Sequence, residues 1–416
     1  MREKKTYSYW GQVKSAFWQR RSNRWAWRGL LLLVFIAVFG DFIANEKPLY
    51  CKIDGQHSFP VVKQYGIALG WVKAEPAYFN ANWAAQEYES VIFPPIPYSA
   101  GTFDRANMQL TSPLGAQNIP SWRWRHWLGT DEIGRDIAAG LISGTRTALQ
   151  VGLIAMSIAT VIGLFIGLLA GYFGDDTFRV RALPMALLLL ASPFLIFYAF
   201  VVDDTVLPFG GSGLFRVIIF LVLSTVLWGL GSLLSRGLGL RKSWILPLDS
   251  LIMRLIEVIN SLPGLLLILA VLAIVAEPSI TYVMIVIGLI SWTSVARYIR
   301  AELLRIRSLD YMLAGKALGY SHTRLLWRHA LPNGIRPVLI ALSFGMAGAV
   351  LVEAYLSFLG IGLPAEAVTW GSLIRKIQAN ATTGAWWIAL FPGLAIFFTV
   401  TIFNFLGEGL TEAMSE

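Results

Sequence analysis

The sequence predicts an all-α polytopic membrane protein, and three observations carry that prediction. Of 416 residues 56% are hydrophobic and 14% charged, with a mean hydropathy of +0.60, a balance that a water-exposed surface of this size does not tolerate. Roughly eight apolar stretches approach the length of about 20 residues that crosses a hydrocarbon core. Sixteen Trp and fourteen Tyr supply rings suited to the headgroup level, apolar at one end and wet at the other.

The expected spans are 29–45, 147–173, 182–202, 214–235, 252–275, 280–299, 337–359 and 386–407. The first follows Arg20, Arg21, Arg24 and Arg28 and lacks a small-residue cleavage pattern, so it reads as a retained signal anchor. Basic residues resist translocation, which places the N-terminus inside along with the loops Gly174 to Arg181, Arg236 to Lys242 and Arg300 to Arg336. Arg216, at the outer end of the fourth span, is expected to snorkel. The net charge of +9 is thereby assigned to orientation and anionic lipid, with no nucleic acid partner. Between Asn45 and Gln150 lie Pro94, Pro95, Pro97, Pro113 and Pro120 with many aromatics, too many turn formers for one helix. Trp71, Tyr78, Phe79, Trp83, Tyr88 and Phe93 offer enough apolar area for a small ordered cap.

Several motifs interrupt the apolar pattern. Gly163, Gly167 and Gly171 recur every fourth residue and present a smooth ridge for close helix packing. The fifth span opens on Asp249, Arg254, Glu257, Asn260, Ser261 and Pro263. Arg254, Glu257 and Ser261 share a face, consistent with an interfacial ion pair or with a gating role, and Pro263 offers a kink. Glu353 sits inside the seventh span on a face with Gly345, Ala349 and Ser357, either lining a pathway or hydrogen-bonding a neighbouring helix. Between Arg300 and Arg336, Asp310, Tyr311, Ala314, Gly315, Lys316, Ala317, Leu318 and Gly319 predict a slim helix with a glycine stop. Ser321 then caps a second helix, which Pro332 is expected to end. This knob fits a partner's cleft or, through Arg305, Arg307, Arg324 and Arg328, lipid headgroups.

The chain has no Gly-x-x-x-x-Gly-Lys-Ser/Thr loop to hold nucleotide phosphates, no nucleophile elbow and no His-Glu-x-x-His, so no enzyme chemistry and no cofactor are expected. Cys51 stands alone, and His57, His126, His322 and His329 are scattered rather than spaced as metal ligands.

With those residues in view, the chain resembles the permease subunits of bacterial ABC importers of the dipeptide and oligopeptide branch. Asp310-Tyr311, Ala314 to Gly319 and Arg328-His329-Ala330-Leu331-Pro332-Asn333 are similar to that branch's EAA loop, which docks into an ATPase; the branch usually has Ala-Ala where Ala314-Gly315 stands. Leu128-Gly129-Thr130-Asp131, Gly134-Arg135-Asp136 and Gly144-Thr145-Arg146 resemble the start of the permease core. Arg254, Ser261, Leu262 and Pro263, with Glu257 in place of the usual Asp, resemble its helix-start pattern. Ala385-Trp386-Trp387 through Phe391-Pro392-Gly393 to Asn404 and Leu410 resemble its last span. Ile43 to Leu49, Asp54-Gly55, Phe59-Pro60 and Pro95-Ile96-Pro97-Tyr98 look like the Yej-type subfamily, associated with peptides and microcin C-like compounds.

The resemblance implies a type I importer permease core of six spans in the bacterial inner membrane. It implies a second, different permease, two ABC ATPase subunits and a periplasmic solute-binding protein as partners, and a peptide substrate. The chain departs from the pattern by about 70 residues between Gly171-Tyr172-Phe173-Gly174 and the Arg254 block. The expected organisation is therefore a cytoplasmic N-terminus at 1–28, a first span at 29–45, a periplasmic segment at 46–146 and a permease domain at 147–416. Within that domain lie a two-span insertion at 175–243 and a cytoplasmic coupling loop at 300–336, with both termini cytoplasmic. Two alternatives stay open: a proton-coupled secondary transporter using Glu353, and a membrane scaffold that moves nothing.

Overall fold

The computed structural model describes residues 9–73, 78, 81–175, 177, 179–196, 213–239, 243–274, 278–364, 367–380 and 384–415. Helix α1 (Tyr9–Gln19) leads into α2 (Arg21–Ile43), whose exposed face carries Leu31, Leu32, Phe35, Val38 and Phe39. The helix starts at the arginines, earlier than the apolar run suggests, because Arg is a good helix former and the chain is already helical before hydrocarbon begins.

The cap that follows is not helical throughout. Strand β1 (Tyr50–Ile53) pairs antiparallel with β2 (Gln56–Ser58) on one side and β3 (Ser90–Ile92) on the other. The β1–β2 turn is Asp54-Gly55, both at positive φ (48° and 73°), the backbone that a two-residue hairpin requires. Helix α3 (Pro60–Ala68) starts on a proline, which costs nothing at a position whose N–H has no intrahelical partner.

Helix α4 (Ile137–Leu168) ends in a wide π turn, Leu169–Phe173, and makes the most extensive helix contact among the described residues with α9 (Ile280–Ile306). The glycine ridge is the contact surface. A Cβ on Gly163 would lie 2.8 Å from the Trp292 carbonyl oxygen, one on Gly167 2.6 Å from that of Ala296, and one on Gly171 2.7 Å from that of Arg300. Only glycine lets the two backbones meet, and their approach buries Val295, Ala296, Ile299 and Leu303.

Helix α5 (Ala182–Ile196) and helix α6 (Gly213–Gly237) pack on each other, Gly231 against Pro184. The expected third span at 182–202 runs on into residues outside those described, as does the Arg216 side chain. Short strands β4 (Arg179–Arg181) and β5 (Ser243–Ile245) pair at the foot of this hairpin.

The expected fifth span at 252–275, with its kink at Pro263, is two helices, α7 (Leu248–Ser261) and α8 (Gly264–Ile274), bent by 85°. Pro263 has no N–H to give and forces Leu262 into an extended conformation (φ −87°, ψ 136°), so the helical ladder cannot cross that point. Helices α10 (Asp310–Ala317) and α11 (His322–Leu325) form the knob. Helix α12 (Arg336–Leu359), α13 (Trp370–Arg375) and α14 (Trp387–Ser415) complete the bundle. Among the described residues six helices are long and apolar enough to cross a membrane, or seven if the bent pair is one span.

Candidate functional site

The knob is built around one missing side chain. Met312 is fully buried, and a Cβ on Gly315 would lie 2.7 Å from Leu325 Cδ2, so glycine is what lets α10 close on the second helix. Asp310 in the first turn and Lys316 in the last complement the helix dipole. Gly319 stops the helix at φ 76°, where Tyr320 N–H donates to the Gly315 carbonyl at 3.0 Å. Asp310, Tyr311, Leu313, Ala314, Ala317 and Leu318 face outward, and Leu318 is 72% exposed. Such an apolar projection is unusual on a surface bounded by Arg324 and Arg328.

Ser321 caps the second helix, accepting from Arg324 N–H at 3.3 Å. Pro332 does not end it. A π turn at Leu326–Ala330 is followed by a further helical turn, Leu331–Gly334, with Pro332 at its start. The wider turn accommodates the imino acid by shifting the bonding pattern, and Asn333 Nδ2 donates to the His329 carbonyl at 2.8 Å. His322 meets Tyr172 Oη at 3.2 Å, and His329 stacks on Tyr320. Among the described residues no three His, Cys, Asp or Glu side chains gather as metal ligands.

The knob is wired to the bundle at two places. Tyr172, its partner across the His322 contact, belongs to the π turn that ends α4. In α9, whose last turn leads into α10, Arg300 makes a two-armed ion pair with Asp249 at the start of α7, Nη2 to Oδ2 at 2.6 Å.

The expected gating residues occupy two different environments. Arg254 and Glu257 form an exposed i,i+3 pair at 2.7 Å on α7, and Ser261 donates to the Val258 carbonyl one turn before the Pro263 bend. Glu353 is 1% exposed and accepts a hydrogen bond from Ser357, beneath α13, where a Cβ on Gly371 would lie 2.3 Å from the Ala354 carbonyl oxygen. Neither set lines the intramembrane cleft. That cleft, of 620 Å³, lies between α9 and α12 and is lined by Ser291, Thr293, Ser294, Tyr298, Phe344, Gly345 and Gly348, with Asn260 from α7. Thr293 Oγ1 donates to Asn260 Oδ1 at 3.2 Å. The Ser-Trp-Thr-Ser run at 291–294 is the sequence signal for this cleft, missed because hydroxyls barely lower hydropathy.

The Gly129–Asp136 segment is an anchor. Gly129 and Gly134 have φ of 80° and 82°, and at Gly134 a Cβ would fall 2.2 Å from the Asp104 carbonyl oxygen. Thr130 Oγ1 donates to the Asn107 carbonyl. Asp131 Oδ1 accepts from the N–H groups of Ile133 and Arg135, and its Oδ2 meets Lys376 Nζ at 2.5 Å. Arg135 lies over the Phe103 ring. Asp136 caps α4 through Ala139 N–H at 2.7 Å and meets His126 Nδ1 at 2.7 Å, while Asp104 meets His126 Nε2 at 3.1 Å. Burial of His126 lowers its pKa, yet hydrogen bonds and charge from Asp136 and Asp104 outweigh that and leave it raised.

Residues 231–415 match the family model described as binding-protein-dependent transport system inner membrane component. The inner membrane ABC transporter permease protein YejE of Escherichia coli (strain K12) is 28% identical over 410 residues, covering 96% of each chain. The dipeptide transport system permease proteins DppC of Alkalihalophilus pseudofirmus and of Bacillus subtilis are 27% and 26% identical, covering 73% and 76% of this chain and 78% and 75% of theirs. The chain is thus similar over 96% of its length to an inner membrane ABC transporter permease, and its residues 231–415 match the inner membrane component of binding-protein-dependent transport systems.

Proposed function

We propose that this permease forms half of a translocation pathway for peptides or peptide-like compounds, in a heterodimer with a different permease, served by two ATPase subunits and a periplasmic binding protein. The relatives named for dipeptide transport support the substrate class. In this reading both termini and the 300–336 loop face the cytoplasm, the cap at 46–146 faces the periplasm, and 175–243 is a peripheral insertion on the permease domain.

The observation that carries the coupling role is the knob's exposed apolar tip on a rigid, glycine-closed base. Tyr311, Leu313, Ala314, Ala317 and Leu318 would seat in an ATPase groove, and closure of the ATPases would pull the knob. The Tyr172–His322 contact and the Asp249–Arg300 pair would carry that pull into α4, α7 and α9. The cleft between α9 and α12, with its hydroxyls, would then open to alternate sides, the bias coming from unequal ATPase affinity for the two states. Leu331 and Pro332 shape the knob's return, while Arg254, Glu257 and Ser261, outward on α7, would face the second permease.

Leu318→Asp tests this reading, since the side chain is exposed and its replacement leaves the fold intact. The expected result is loss of ATPase co-purification and of ATP-driven uptake, with normal membrane insertion. Uptake that persists without the ATPase and follows the proton gradient would favour the Glu353 alternative; a bound ATPase without uptake would favour a scaffold.

A further inference from the structure

We propose that α3 and its tail lie in the bilayer interface on the cap side, with Phe59, Val62, Leu69 and Trp71 in contact with lipid.

The position of α3 is set by α2. A chain of rings runs from the lipid-facing side of that span into the cap: Phe35 to Phe39 at 5.0 Å, Phe39 to Phe42 at 6.2 Å, and Phe42 stacked on Tyr65 of α3 at 5.6 Å. Tyr65 Oη donates to the Val38 carbonyl at 2.8 Å. Val38 lies within the last two turns of α2, so the ring and the helix that carries it are held at the level where a tyrosine meets headgroups.

The helix presents the matching surface. Phe59, Val62, Gly66 and Leu69 follow a three-four-three spacing that puts them on one stripe beside Tyr65. Phe59 is 55%, Val62 52% and Leu69 59% exposed. The other side faces the protein: Pro60 and Val61 are buried, and Gln64 Oε1 accepts from Asn45 and Lys47, both at 3.3 Å. The tail is ordered in the same direction. Gly70 turns at φ 76°, Trp71 N–H donates to the Gly66 carbonyl at 2.8 Å, and the 81% exposed Trp71 ring is followed by exposed Lys73. An apolar stripe ending in Trp and Lys, continuous with a lipid-facing span, is the pattern of an interfacial helix.

Cys51 is buried and is the sole cysteine, so a Cys51→Ser background permits single labels. Nitroxides at Val62→Cys, Leu69→Cys and Trp71→Cys would be read in proteoliposomes of phosphatidylethanolamine and phosphatidylglycerol, with Asp54→Cys at the exposed hairpin tip as the aqueous reference. The expected result is a ratio of oxygen to nickel-chelate accessibility several-fold above that at Asp54 for all three positions. Nickel access equal to that at Asp54 would overturn the proposal, and so would exclusion of both reagents, which marks a face covered by protein.

Discussion

Asp175 accepts two hydrogen bonds from Ser250, from its amide at 2.9 Å and its hydroxyl at 2.6 Å, and so closes an excursion of 75 residues at its base. The pairing of β4 with β5 zips the same base, and α5 and α6 pack mainly on each other. A hairpin that leaves and returns at one point leaves the order of the later helices unchanged. Replacing residues 179–245 with a short Gly-Ser linker is therefore expected to yield an inserted permease whose 300–336 loop keeps its sidedness. Cysteine labelling in the loop, in intact and opened cells, reads the outcome.

Gly315 and Leu325 make a second testable pair. The Cβ of Gly315→Ala meets the far end of the Leu325 side chain, so overpacking of roughly 1 kcal/mol is expected. Leu325→Ala alone opens a cavity, at a cost of about 3 kcal/mol. The double variant should recover part of the sum, giving a non-additive cycle in thermal unfolding of the detergent-solubilised chain. Gly319→Ala, whose Cβ meets nothing within 4 Å, should cost only its backbone strain, about 1 kcal/mol.

The contrast between these features shows what the sequence exposes. The glycine ridge, the slim helix and the Ser321 cap are legible because each is local: a period, a spacing, a cap residue. The Asp54-Gly55 hairpin is local too, but its strands of four and three residues are too short for alternation to stand out. Pro263 marks the kink in the sequence, but its size of 85° does not show there, because hydropathy reports solubility rather than direction. His126 looks like a stray surface residue because Asp136 and Asp104 stand 10 and 22 residues away, and only the fold closes the triad. Glu353 is visible as an intramembrane acid, yet which neighbour faces it depends on where α13 folds back.

The triad gives the cap a pH dependence with a definite sign. His126 has a folded pKa above its ordinary 6.5, so its contribution is fully present below the unfolded value and is lost as pH rises through the folded one. Burial raises the pKa of Asp104, but Asn107, His126 and the Ala106 amide more than reverse that, so its contribution fades as pH falls through its lowered folded value. Cap resistance to proteolysis should pass through a maximum between those limits. In His126→Gln the alkaline limb should disappear and overall resistance should drop.

Asp131 and Lys376 tie the glycine-rich anchor to the segment after α13 across 245 residues. The carboxylate is 1% exposed and the amine 23%. Asp131→Ala also strips acceptors from two backbone amides and should destabilise by about 3 kcal/mol. Lys376→Met, which removes the less buried member and leaves those amides satisfied, should cost less. Thermal shifts of the two variants in detergent check the order.

Glu353 and the α9–α12 cleft make opposite demands on transport. If Glu353 serves the contact with α13, Glu353→Gln retains a side chain that Ser357 can still reach, and uptake should be unchanged across pH. Glu353→Leu, which leaves Ser357 without that acceptor, should lower folded yield instead. Ser294 lines the cleft on α9, and Ser294→Trp adds bulk where substrate would pass. That variant should keep its bound ATPase and lose uptake. The reverse pattern, a pH-shifted Glu353→Gln with Ser294→Trp still active, would move the pathway to the α12–α13 side and make the acid its central residue.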